Sequence, residues 1–274
     1  MSERELALVT GAAGGIGLEL ARRLTARGYG VIAVERDGQL AQLAATALGA
    51  SAVPVACDLS IKDDVRRLVT RIEGEWAERL EIVICNAGVI VPGDVVDTEP
   101  AQLDLQLEVM LNSVTHVISS AVRVFVAKDR GHVLATVSHG GILPLPGSAA
   151  YSAAKAGLRA YLAALSAELR HTPVAVSGIY PSAVATPMLR HESTHGGSLL
   201  NYVGAVSSAV EVADTFDRAL HTKKLELYHP YSDGVMSRFL ACFPWMVPRL
   251  LGPLEWLGRR GLKRYLASTL AVAS

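Results

Sequence analysis

A strand-length apolar run at residues 5–10 passes through Gly11-Ala12-Ala13-Gly14-Gly15-Ile16-Gly17 straight into the helix-like Leu18-Glu19-Leu20-Ala21-Arg22-Arg23-Leu24. A strand that turns through glycines into a helix start presents free backbone N–H groups and the positive end of the helix dipole to a pyrophosphate. Glycine is needed where a side chain would block that phosphate or the contact between helix and sheet. The spacing read from Gly11, Gly15 and Gly17 is G-x-x-x-G-x-G, which differs from the commonest dinucleotide fingerprint. By itself it leaves open a plain flexible turn.

The rest of the chain repeats the strand-then-helix rhythm. Apolar runs at 31–34, 52–56, 82–85, 132–137, 174–180 and 225–228 have the length of buried parallel strands. Helical patterns lie between them at 39–48, 63–79, 102–127, 149–170 and 210–221. This alternation predicts an α/β fold, a doubly wound, mostly parallel, Rossmann-like sheet with helices on both faces. No linker, repeat or low-complexity tract divides it, so residues 1–274 are expected to form one domain with a C-terminal extension from about 231. A formal net charge of +0 gives no global attraction to nucleic acid. Cys57, Cys85 and Cys242 lack metal-ligand spacing and fit reduced thiols in a cytoplasmic protein, and no signal peptide is expected before the first strand.

The chemistry-bearing pattern is Tyr151-Ser152-Ala153-Ala154-Lys155, with Ser138 thirteen residues before Tyr151. Four residues apart on a helix, phenol and ammonium share a face, and the positive charge is expected to lower the phenol pKa towards working pH. Together with the glycine turn, this pattern resembles the short-chain dehydrogenase/reductase family. The matching positions are Thr10 with Gly11, Gly15 and Gly17, then Asp58, Asn86-Ala87-Gly88, Asn112, Ser138, Tyr151 with Lys155, Pro181 and Thr186, in family order over roughly residues 5 to 230. Cys85 and Ser182 depart from it, standing where Asn and Gly are common.

The resemblance implies an oxidoreductase acting on CH–OH groups. Tyr151 is the acid/base, Lys155 holds the nicotinamide ribose and stabilises tyrosinate, Ser138 orients the substrate oxygen, and Asn112 holds a water in a proton relay. The cofactor contacts it implies are Gly11, Gly15, Ile16, Gly17, Asp58, Leu59, Asn86, Ala87, Gly88, Pro181, Val184 and Thr186, besides Tyr151 and Lys155. Asp58 also reads as a helix N-cap. Glu35, 24 positions after Gly11 at the end of the second strand, suits ribose hydroxyls and repels a 2′-phosphate, so NAD is expected over NADP despite the adjacent Arg36. A noncatalytic dinucleotide sensor or scaffold and an NADP-dependent carbonyl reductase are the alternatives.

His191-Glu192-Ser193-Thr194-His195 matches the H-E-x-x-H zinc motif, but Gly196-Gly197 follow at once and no long helix is expected around it, so no metal site is assigned. The segment 191–207, with Leu199, Leu200, Tyr202 and Val203, occupies the place of a substrate lid. With Leu143-Pro144-Leu145-Pro146 it suits a small hydrophobic substrate of steroid, retinoid or terpenoid type. His139 is a second candidate for the mouth. The tail brings Phe239, Phe243 and Trp245 and a basic cluster at 259–264. Its expected role is to fold over the cleft or a neighbouring subunit and bury its aromatics, with weak peripheral membrane contact as the alternative. The resemblance implies a homodimer or homotetramer packed through the 102–127 and 149–170 helices.

Overall fold

The computed structural model describes residues 4–273, with side chains described as far as Ser268. Seven strands form one sheet in the order β3-β2-β1-β4-β5-β6-β7, every neighbouring pair parallel. They are β1 (Leu6–Thr10), β2 (Gly30–Glu35), β3 (Ala52–Ala56), β4 (Leu80–Cys85), β5 (His132–Thr136), β6 (Ala175–Pro181) and β7 (Glu226–His229). The central strands are buried on both faces, which is why they read as unbroken apolar runs.

Alternate side chains feed two cores. Leu8 and Val83 pack with α3 (Lys62–Glu73), α5 (Ser113–Ala127) and α6 (Ala149–Glu168) on one side. Val9 and Ile84 pack with α1 (Gly15–Ala26), α2 (Gly38–Leu48) and α8 (Ala209–Thr222) on the other. Each fully buried Leu, Ile or Val contributes about 2 kcal/mol of transfer free energy, so the two cores lock the strand ends from which the site is built.

Two helical expectations change. The helix expected at 63–79 stops at Glu73, and the chain reaches β4 through turns around Trp76, which is 2% exposed. The helix expected at 102–127 is two helices, α4 (Pro100–Leu107) and α5, joined by a π-helical turn over Glu108–Asn112. That wider turn rotates the following residues relative to the preceding helix, so that Met110 is fully buried while Asn112 faces solvent.

Candidate active site

The strand order reverses between β1 and β4, so their C-terminal ends open a crevice where doubly wound sheets take ligands. Of the site residues expected from the sequence, all but Gly17 and Asn112 line this single cleft of about 1010 Å³. Gly11 and Gly15 have φ of +70° and +54°, conformations that side-chain-bearing residues seldom adopt. Gly17 acts through packing. A Cβ there would stand 1.9 Å from the Gly11 carbonyl oxygen, so only glycine lets α1 start this close to the turn.

Two clips hold the turn against its neighbours. The Thr10 hydroxyl accepts hydrogen bonds from the Asn86 and Ala87 N–H groups, each at 3.0 Å. Asn86 in turn accepts from the Thr136 hydroxyl at 2.9 Å, so one amide side chain joins the ends of β1, β4 and β5. On the other flank the Ala13 N–H donates to Glu35 Oε1 at 2.6 Å, fixing the carboxylate beside the glycine turn. Asp58 folds back on its own loop, accepting from the N–H and the hydroxyl of Ser60, and the N-cap of α3 is Ile61. Thr186 caps α7 (Pro187–His195) by accepting from the Leu189 N–H at 3.4 Å.

The open cradle at the helix start and the polar groups spread along the cleft fit a nicotinamide dinucleotide. Gly14 has nothing within 4 Å of where a Cβ would be, and the α1 N–H groups point into that space. Along the same cleft, Glu35 and Asp58 lie towards one end and Tyr151 with Lys155 towards the other.

At the reacting end, Ser138 follows β5 with φ of +118° and ψ of 151°, an uncommon conformation for a residue with a side chain. Its hydroxyl accepts from the Gly140 N–H at 3.1 Å, and a Cβ on Gly140 would stand 3.5 Å from that hydroxyl and 3.2 Å from the Tyr151 ring, so the two side chains flank one point of the cleft. Lys155, 4% exposed, donates from Nζ to the Thr136 carbonyl at 2.7 Å, and Nζ stands 5.8 Å from the Tyr151 ring centroid. The expected depression of the phenol pKa is not found. Burial pushes Tyr151 up to about 12, the neighbouring Ser138 hydroxyl pulls it down and the Glu192 charge raises it. Burial also brings Lys155 down to about 8. Burial disfavours the charged form of both groups and outweighs the attraction that their spacing on α6 suggested.

Asn112 does not join this cluster. It is exposed on the π turn and donates from Nδ2 to Glu108 Oε2 at 2.8 Å. The inward residue of that turn is Met110, whose Sδ would be 3.6 Å from a Cβ on Gly88. A helix does form around the H-E-x-x-H stretch, since α7 runs through His195. Its two histidine rings are stacked with centroids 4.1 Å apart and lie on the outer side of α7, whereas Glu192 turns inward and is 6% exposed. The three side chains therefore do not converge, and no group of three or more His, Cys, Asp or Glu able to hold a metal occurs among the described residues.

Glu192 is a site residue that the sequence alone does not reveal. It lines the cleft, accepts from Asn201 Nδ2 at 3.1 Å and is raised by burial to about 7. The available signal is its spacing of three from Leu189, which sets both on the inner face of α7. His139 also lines the cleft, and its Nε2 is buried without a hydrogen-bond partner among the described residues. Of the lid residues, Leu200 and Val203 face the cleft, whereas Tyr202 is 2% exposed and packs against Tyr265 at 5.6 Å.

The tail forms α9 (Tyr231–Ala241) and α10 (Val247–Ala273). Met236, Ser237, Leu240 and Leu254 complete the cleft wall. Within the single chain its aromatics stay outward, Phe239 being 60% and Trp245 62% exposed, while Phe243 is half-buried. The two helices are joined by one short turn over Pro244–Met246, and each turns one side to the body and the other to solvent.

A family model for short chain dehydrogenases matches residues 5–196. The chain belongs to the short-chain dehydrogenase family. An uncharacterized short-chain type dehydrogenase/reductase of Sinorhizobium fredii is 33% identical over 192 residues, 69% of this chain and 74% of the relative. Among solved structures, a short-chain dehydrogenase from Sphingobium yanoikuyae in complex with NADPH has a TM-score of 0.75 at 22% identity, covering 86% of this chain and 95% of the other. A family member from Burkholderia phymatum in complex with NAD has the same TM-score at 19% identity, covering 86% and 92%. The chain thus belongs to a family of dehydrogenases.

Proposed function

We propose that the protein transfers a hydride between NAD(H) and a hydrophobic alcohol or its ketone, with Tyr151 as general acid/base. The observation that carries this reading is the convergence of Ser138, Tyr151 and the buried Lys155 at the end of a cleft whose far wall is apolar. The nicotinamide, when bound, supplies the hydride acceptor or donor. The Ser138 hydroxyl would orient the substrate oxygen. The Tyr151 hydroxyl would give it a proton during reduction or take one during oxidation. Lys155 would steady the tyrosinate and bind ribose hydroxyls. Its bond to the Thr136 carbonyl aims the ammonium while leaving two N–H donors.

Leu143, Leu145, Leu200, Met236, Leu240 and Leu254 favour a substrate with a large apolar body. Glu192 and His139 offer it polar contacts at two points on that wall. The preference for NAD rests on Glu35, whose negative charge the Ala13 amide holds in place. Arg36, by contrast, is largely exposed and lies 3.9 Å from Asp37. The test is a panel of apolar secondary alcohols assayed by NADH and NADPH absorbance. Turnover with NAD and an apolar alcohol supports the reading, and dinucleotide binding without turnover of any alcohol or ketone in the panel would favour the sensor instead.

A further inference from the structure

We propose that the outer face of α9 and α10 is a docking surface for an anionic lipid bilayer, placed at the mouth of the cleft. The first support is apolar exposure along the outer sides of both helices. Tyr231, Val235 and Phe239 are 68%, 45% and 60% exposed and follow one another at intervals of four on α9. Phe239 stacks edge-on to Phe243 at 5.4 Å, Phe243 meets Trp245 at 6.4 Å, and Trp256 and Leu257 on α10 are 53% and 43% exposed. Aromatic rings gathered at the surface are what the boundary between headgroups and acyl chains takes up.

The second support is charge. From residue 231 onward the chain carries six basic residues, Arg238, Arg249, Arg259, Arg260, Lys263 and Arg264, against Asp233 and Glu255, a net of +4 in a chain whose total is +0. The guanidinium of Arg260 lies 3.6 Å from the Trp256 ring centroid and that of Arg249 lies 5.6 Å from Trp245, so cation and aromatic are presented together. A second copy seated on this face would set basic charge against basic charge, whereas an anionic lipid surface complements it.

The third support is the fixed orientation of α10. A Cβ on Gly258 would meet the Leu199 carbonyl oxygen at 2.2 Å, and one on Gly261 would meet that of Tyr202 at 1.8 Å. The helix therefore lies flush on residues 199–202 and can turn only its aromatic and basic side outward. Met236, Leu240 and Leu254 on these helices line the cleft, so docking would bring its mouth to the lipid boundary. None of this depends on which substrate or dinucleotide the site takes.

The test sediments the full chain with phosphatidylcholine vesicles and with vesicles containing phosphatidylserine, at low and high salt, and reads tryptophan emission. Trp76 is 2% exposed, so a blue shift reports Trp245 and Trp256. Binding should favour the anionic vesicles by about tenfold or more, weaken in high salt, and shift the emission. Phe239→Ser with Trp245→Ser, and separately Arg259→Glu with Arg260→Glu, should abolish it without moving the melting midpoint. Absent or salt-insensitive sedimentation would overturn the proposal. So would a blue shift that follows protein concentration without lipid, which would make this face a subunit interface.

Discussion

The Glu35 carboxylate receives the Ala13 N–H at 2.6 Å, a bond that joins the end of β2 to the turn after β1 across 22 residues. The carboxylate is thereby held still where the adenosine ribose is expected. A 2′-phosphate at about 4 Å from it would meet repulsion of about 4 kcal/mol before screening, at an effective dielectric of about 20. Glu35→Ser should therefore raise affinity for NADP(H), narrowing or reversing the preference, while NAD(H) binding weakens. Titrating both dinucleotides against both proteins checks it, and tighter NADP(H) binding to the unaltered chain would show that Arg36 dominates.

Tyr151→Phe keeps the ring in its packing and removes only the transferable proton. Turnover should fall by about 10²–10⁴-fold, with the dinucleotide Kd nearly unchanged. Lys155→Ala should weaken both turnover and dinucleotide affinity, since Lys155 is assigned a ribose contact as well as support of the tyrosinate. Calorimetric titration beside steady-state rates separates the two variants.

Glu192 makes stability depend on pH. Its folded pKa is raised from 4.5 to about 7, so between those values the folded protein keeps a proton that the unfolded chain has lost. Stability contributed by the neutral form therefore declines as pH rises through that window, to a ceiling of about 3 kcal/mol. Glu192→Gln should melt like the parent near pH 4.5 and become the more stable of the two above pH 7. Denaturant midpoints across that range measure the difference, and parallel curves would show that Glu192 is not carrying the penalty.

Gly17→Ala would drive a methyl group into the Gly11 carbonyl at 1.9 Å. A loss of about 3 kcal/mol or more is expected, as for an overpacked core. Gly14→Ala meets nothing within 4 Å and should stay within about 0.5 kcal/mol of the parent. Comparing their denaturant midpoints tests whether the two glycines do different work.

The sheet was legible because strands buried on both faces leave continuous apolar runs, and β5 at His132–Thr136 lies inside the run that its pattern marked. Ser138, Tyr151 and Lys155 come together at one edge of the sheet because Ser138 follows β5 within two residues and the other two stand four apart on α6. The outward position of Asn112 was not legible because a π turn adds a residue to the helical repeat without any mark in composition, and the inward position passed to Met110. The direction of the Tyr151 shift was missed for another reason. Spacing gives the distance to Lys155 but not the depth of burial that both groups share. Glu192 stayed hidden because a charged residue on a short polar helix gives no sign that its side faces a cavity rather than water.

The wall that α9 and α10 lend to the cleft separates two kinds of inheritance within one chain. The groups proposed to react, Ser138 just after β5 and Tyr151 and Lys155 on α6, lie inside residues 5–196, whereas Met236, Leu240 and Leu254 come from chain beyond that stretch. Substitutions in the tail can thus reshape which molecules are admitted without disturbing Ser138, Tyr151 or Lys155. A chimera that exchanges the segment after β7 would transplant selectivity as a module and leave the catalytic groups to the recipient.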